Sequence, residues 1–206
     1  PNRTMGTALT TTINVRVVSL LQRFTDFLKE PSGPKCPECG SNISDDLCPN
    51  LDCPIKVAKW ITHWCSPQAT DIPALDQAIV EQLARYRLVL HPGELYELGQ
   101  GDWDRLKGVT TGQLTEIQGQ MQSSKSAEAS ALLFGLRLPG VDTSLAKRLI
   151  GVFGSIDKLR ETKPTQLQQA GELSEQQAAE IRRWFRDSVN RQALQMLEHN
   201  GFCFSG

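Results

Sequence analysis

No stretch of the 206-residue chain is apolar for long enough to cross a bilayer. The longest runs are Val17-Val18 with Leu20-Leu21 and Ala131 to Phe134, where a membrane helix needs about 20 residues. The amino end is polar and threonine-rich, Pro1 to Thr12, and lacks the apolar stretch of a secretory signal. There is no excess of either charge: 22 Lys and Arg stand against 23 Asp and Glu, a net charge of −1. This excludes a nucleic-acid binder held by net charge alone, though not one making local phosphate contacts. Residues 1–60 carry 7 basic and 6 acidic groups, 61–139 carry 6 and 9, and 140–206 carry 9 and 8, so only the middle leans acidic. A soluble, cytoplasmic protein is expected, with no membrane partner. A start at Pro1 leads us to expect a fragment or a processed chain.

Cysteine is scarce outside one short stretch. Four of the six cysteines, Cys36, Cys39, Cys48 and Cys53, follow one another closely, spaced C-x2-C, eight residues, then C-x4-C. Two closely spaced thiol pairs can converge on one tetrahedral ion, as structural zinc requires. Gly40 follows the first pair, where a knuckle turn favours positive φ. Lys35, Lys56 and Lys59 are near in sequence to offset the −2 formal charge of a four-thiolate zinc. With every position filled by cysteine, no site remains open for a catalytic water. Zn²⁺ is therefore expected as a structural ion, with a pair of disulfides or four unrelated buried thiols as the competing reading. Cys65 and Cys203 lie outside the spacing and read as buried or free thiols, and His63 as a packed or exposed helix residue.

Residues 13–21 alternate with period two and are rich in β-branched side chains, which predicts a short β segment at the amino end. Lys29 to Lys35 has the composition of a linker. From Cys53 onward the pattern turns helical: Val57, Trp60, Ile61 and Trp64 recur at i, i+3, i+4 and i+7.

A four-fold internal repeat follows. Its units open at Ile72-Pro-Ala-Leu-Asp, Leu106-Lys-Gly-Val-Thr, Leu138-Pro-Gly-Val-Asp and Ala170-Gly-Glu-Leu-Ser, a nearly constant spacing. Each runs into an apolar-periodic helix and is preceded by a helical stretch, such as Pro92 to Leu98 or Pro164 to Gln169. A helix, a tight glycine-containing turn and a second helix with an open amino end make a helix-hairpin-helix. Its unpaired N–H groups and dipole can receive a phosphate oxygen, reading the DNA backbone but no base sequence. Helices that only pack on one another would show the same periodicity.

The turns depart from the pattern hydrophobic-x-Gly-hydrophobic-Gly. Ala74, Gly108, Gly140 and Glu172 occupy the first glycine slot, and Asp76, Thr110, Asp142 and Ser174 the second. All four second-slot residues are good N-caps, so the helix starts are satisfied internally and compete with phosphate. Asp76 and Asp142 add like-charge repulsion. The predicted DNA contacts are Lys107, Gly108 and Gly112 around the second turn and Gly140, Lys147 and Arg148 around the third. Arg182 and Arg183 on the fourth unit's helix complete the set. A solvated Arg-rich face is the competing reading for the last two.

In combination these residues resemble the C-terminal half of bacterial NAD⁺-dependent DNA ligases. The matching text is Gly-Pro-Lys-Cys36-Pro-Glu-Cys39-Gly-Ser, Cys53-Pro, Ala69-Thr-Asp-Ile, Glu81-Gln-Leu, Pro92-Gly-Glu-Leu-Tyr96, Leu106-Lys-Gly, Phe153-Gly-Ser-Ile and Asn190-Arg. The resemblance covers residues 13–203. It implies a mainly α chain: the end of an OB-fold with a linker over 1–33, a zinc finger and following helix over 34–66, and four helix-hairpin-helix motifs over 67–206. It further implies a grip on nicked double-stranded DNA, independent of base sequence, in replication and repair. A separate N-terminal domain would use NAD⁺ and seal the nick. The chain departs from the family in a short Cys39–Cys48 segment and in the altered turn glycines, and no BRCT-like domain is expected after Gly206. It contains no Lys-x-Asp-Gly adenylation motif, Ser/His/Asp set or phosphate-cradling glycine loop, so ligation by this chain alone is not expected. The alternative is a non-enzymatic, ligase-derived adaptor with weak DNA binding or protein-binding hairpins. Oligomeric state is not legible.

Overall fold

The computed structural model describes residues 34–43 and 48–205, and the predicted β segment at 13–21 lies outside them. The chain divides into two compact units, Pro1–Pro49 and Asn50–Gly206. Among the described residues there is no extended strand, only one antiparallel bridge between Lys35 and Asn42, and the rest is helix and turn. The chain is mainly α, as its periodicity predicts. No helix among the described residues is long and apolar enough to cross a membrane.

The helical unit opens with α1 (Pro54–Trp64), where Pro54 at the first helical position needs no hydrogen-bond donor. Val57, Ile61 and Trp64 form its buried stripe and pack on α2 (Gln77–Arg85), the second helix of the first hairpin. Trp60 is only half-buried. The second hairpin enters through a 3-10 helix (Pro92–Glu97) and a single turn, α3 (Gln100–Trp103), and leaves by α4 (Thr111–Ser124). The third pairs α5 (Ala129–Gly135) with α6 (Thr143–Phe153). A short α7 (Ile156–Glu161) then leads to the fourth, α8 (Pro164–Gly171) with α9 (Glu175–Arg186). Finally α10 (Ser188–His199) returns to pack on the 3-10 helix of hairpin two.

One apolar core runs through this unit, from Val57 to Phe204. At its centre Trp64 is fully buried and donates its Nε1–H to Tyr96 Oη at 3.1 Å, and Tyr96 shares a 2.8 Å hydrogen bond with Ser124. Phe202 stacks edge-on against both rings, at 5.6 and 4.8 Å, so the carboxyl-terminal segment locks hairpins one and two together. These tryptophan and tyrosine polar atoms are paired inside the core, which is why the aromatics can be buried at all. α5 approaches α1 closely at Gly135, where an added Cβ would lie 2.9 Å from the Trp64 ring.

Candidate nucleic-acid interface and metal centre

In the amino-terminal unit the backbone of Cys36 closes a tight knuckle. Its N–H donates to the Ser41 carbonyl and its carbonyl accepts from Gly40 N–H, both at 2.8 Å. Gly40 has φ +71°, the left-handed value this turn requires. The sulfur atoms of Cys36, Cys39, Cys48 and Cys53 all lie within 4.8 Å of one another, with Cys39 and Cys48 3.5 Å apart. Zinc–sulfur bonds of about 2.3 Å in a tetrahedron set sulfurs about 3.8 Å apart, so the donor set fits a thiolate-bound ion. Ser41 Oγ lies 3.4 Å from Cys39 Sγ, a hydroxyl placed to support a ligand sulfur.

Neither remaining thiol nor His63 takes part. Cys65 is buried, and burial pushes its thiol up to about 12. Cys203 is exposed and points its sulfur at the Ser205 carbonyl, 3.0 Å away. His63 is a packed helix residue: its Nε2–H donates to the Phe134 carbonyl at 2.8 Å and its ring lies 4.4 Å from that of Phe134.

The four hairpin turns are built alike at the helix start. Asp76, Thr110, Asp142 and Ser174 each accept a hydrogen bond from the N–H three residues on, at 2.9, 3.2, 2.7 and 3.2 Å. Each helix therefore begins with one of its unpaired donors already satisfied. Gly108 and Gly140 have φ +82° and +67°, and Glu172 takes the same left-handed conformation at +52° despite its side chain.

Side chains then tie the turns together in twos. In the first pair, Gln82 of α2 bonds both backbone groups of Lys107, accepting from its N–H at 2.8 Å and donating to its carbonyl at 3.0 Å. In return Gln120 of α4 accepts from Ala74 N–H at 2.8 Å, and Gln113 Nε2 lies 3.5 Å from Asp76. In the second pair, Gln177 of α9 donates to the Gly140 carbonyl at 3.0 Å, and Arg148 of α6 reaches Glu172 at 3.3 Å. Each second helix thus reaches the turn of the other hairpin in its pair. The result is two turns side by side, twice over.

The predicted contact residues fall as follows. Lys107, Gly108 and Gly112 are exposed at the second turn, with open space around both glycines. Gly140, Lys147 and Arg148 are exposed at the third turn and along α6, and Arg148 is engaged by Glu172. Arg183 is exposed on α9. Arg182 is different: it is half-buried and its guanidinium donates to the Arg160 carbonyl near the end of α7. That contact holds one guanidinium nitrogen against the fold beneath α9.

The pairing residues Gln82, Gln113, Gln120, Gln177 and the ionic partner Glu172 were not singled out as a group by the sequence. A signal was there: Gln82 and Arg148 both stand ten residues after their turn's first residue, and Gln113 and Gln177 both stand seven after.

This geometry matches what is found by comparison. The family model described as "Helix-hairpin-helix motif" matches residues 131–194, which are hairpins three and four. Proteins named DNA ligase align along most of the chain. The one from Geobacter metallireducens is 31% identical over 181 residues, 85% of this chain and 27% of its own length. That from Heliobacterium modesticaldum is 31% identical over 172 residues, 81% and 26%. That from Acidobacterium capsulatum is 27% identical over 203 residues, 92% and 30%. The chain is a divergent DNA ligase homologue. It spans between a quarter and a third of the length of the curated ligases it matches. The resemblance first visible in the cysteine spacing and hairpin text thus extends over nearly the whole sequence.

Proposed function

We propose that this chain is the DNA-gripping portion of a bacterial NAD⁺-dependent ligase, corresponding to the C-terminal part of that enzyme. It holds nicked duplex through phosphate contacts while a separate adenylation domain, the part that uses NAD⁺, seals the nick. The observation that carries this reading is the reciprocal pairing of hairpin turns. Two adjacent turns can address the two strands of a duplex across a groove, through the backbone and without regard to base sequence. Lys107, Gly108 and Gly112 supply one such contact, Gly140, Lys147 and Arg148 another, and Arg183 extends the second along α9. Cys36, Cys39, Cys48 and Cys53 hold Zn²⁺, which fixes the knuckle and takes no chemical part. Residues 34–66 make up the finger with its following helix, and residues 67–206 the hairpin array.

The experiment is a titration of the zinc-loaded chain against nicked, intact and base-shuffled duplexes at several salt concentrations. Binding that ignores base sequence and falls steeply with salt, by about 0.9 log units per phosphate contact per decade, supports the reading. No binding at low salt removes it and favours the alternative, an adaptor derived from a ligase. The side-chain caps on all four helix starts and the Glu172–Arg148 pair favour that alternative.

A further inference from the structure

The two hairpin pairs differ in charge at equivalent places. Turn two carries Lys107-Gly108, and Gln82 ties it down through Lys107 backbone atoms alone, leaving the turn without a carboxylate in its first glycine slot. Turn four carries Glu172 in that slot, and Arg148, at the position equivalent to Gln82, meets the Glu172 carboxylate instead. A left-handed φ of +52° is unfavourable for any residue with a Cβ, so the turn holds a charged side chain where glycine would be more comfortable. Between turns three and four lies a groove of about 270 Å³, bordered by Gly140, Asp142, Arg148, Glu172 and Gln177. The Arg148 and Glu172 side chains are 46% and 79% exposed. An ion pair so open to water is weak and screened by salt, and a competing anion can displace it.

A carboxylate and a phosphodiester offer guanidinium the same thing, two anionic oxygens at hydrogen-bond distance. We propose that Glu172 is an internal stand-in for a DNA phosphate. It occupies Arg148 when no duplex is bound and sets a low affinity for the second hairpin pair, so that the first pair, through Lys107, makes the stronger contact. The assignment rests on the DNA-binding reading above and adds to it which residue limits affinity.

The test is binding of a labelled nicked duplex, followed by anisotropy across salt concentrations, for the zinc-loaded wild-type chain, E172Q, R148A and the R148A/E172Q double variant. E172Q keeps the length of the side chain and the turn conformation and removes only the charge; circular dichroism checks the fold. E172Q should bind about threefold to tenfold more tightly at low salt, with a salt slope steeper by about 0.9, the signature of one more phosphate contact. In the R148A background the same charge removal should do nothing: R148A/E172Q should bind within about twofold of R148A. Equal affinities for wild type and E172Q overturn the assignment. So does a gain that survives in the double variant, which would reflect only the loss of one negative charge. Either result leaves DNA binding by the chain intact. Absence of binding by wild type and E172Q alike overturns the DNA-binding reading and this assignment together.

Discussion

Gln82 holds both backbone groups of Lys107, one bond in each direction, so a single side-chain amide on one hairpin fixes the turn of the next. Replacing Gln82 by Ala leaves that backbone to water. It should cost about 1–2 kcal/mol, the net worth of two partly exposed hydrogen bonds, and lower Tm by about 2–4 °C per kcal/mol in a chain of this size. Lys107→Ala should do the reverse: stability within about 0.5 kcal/mol of wild type, but weaker duplex binding and a salt slope smaller by about 0.9. Thermal melts and duplex titrations on the two variants distinguish a residue that shapes the turn from one that touches DNA. Loss of stability in Lys107→Ala would contradict that division.

The sequence made the repeat legible because its physics is local. Turn residues, caps and a helical period recur at nearly even spacing, and Asp76, Thr110, Asp142 and Ser174 each cap as their residue types dictate. The cysteine cluster was legible for the same reason, since all its ligands lie in the one short stretch from Cys36 to Cys53. Pairing between hairpins was not. It depends on glutamines up to 46 residues from their partners, and an exposed glutamine carries no signal of what it will reach. Arg182 shows the limit most plainly: in sequence it is one of an Arg-rich helix face, and only the tertiary fold brings the Arg160 carbonyl within its reach.

Gly140 is required for two separable reasons. Its φ of +67° disfavours any side chain by about 1–2 kcal/mol, and an added Cβ would lie 2.8 Å from Gln177 Nε2. Since that atom ends a flexible side chain, it can withdraw, at the cost of its bond to the Gly140 carbonyl. Gly140→Ala should therefore lose about 1–3 kcal/mol in chemical denaturation. Gly112, on the first turn of α4 with nothing within 4 Å of its Cβ position, is the control. Gly112→Ala should be neutral or stabilise by up to about 1 kcal/mol. A Gly140→Ala protein as stable as wild type would show that the turn does not depend on glycine.

The cysteine cluster should govern the knuckle and not the helical core. Val57, Ile61 and Trp64 are buried in the core of α1 and its neighbours, and owe their burial to apolar contacts. Cys48→Ser removes one of four sulfurs and should abolish stoichiometric zinc, because structural sites bind metal and fold together. Limited proteolysis should then open residues 34–49, while the helical unit keeps a cooperative melt. Metal analysis with mass mapping of the fragments reads both halves of this outcome. Retained zinc at one ion per chain would refute the ligand set.

Two histidines give the chain an acid sensitivity with a definite sign. Burial lowers the His63 pKa below 6.5 most strongly; the bond to the Phe134 carbonyl opposes this, and nearby Arg137 adds to it. His91 is lowered too, again mainly by burial and against the pull of Glu94, 3.8 Å away. In the unfolded chain both rings bind protons near 6.5, while the folded chain keeps them neutral to lower pH. The unfolded state therefore binds more protons at these rings below about 6.5, and their contribution to stability falls as pH drops through that region and is constant above it. Zinc thiolates also take up protons on acidification, so the fall itself is not diagnostic. The difference between proteins is. His63→Gln retains an N–H donor for the Phe134 carbonyl but cannot titrate, so its Tm should drop less than that of wild type between about pH 7.5 and 5.5. An equal drop in the two proteins would show that His63 titrates alike in the folded and unfolded states.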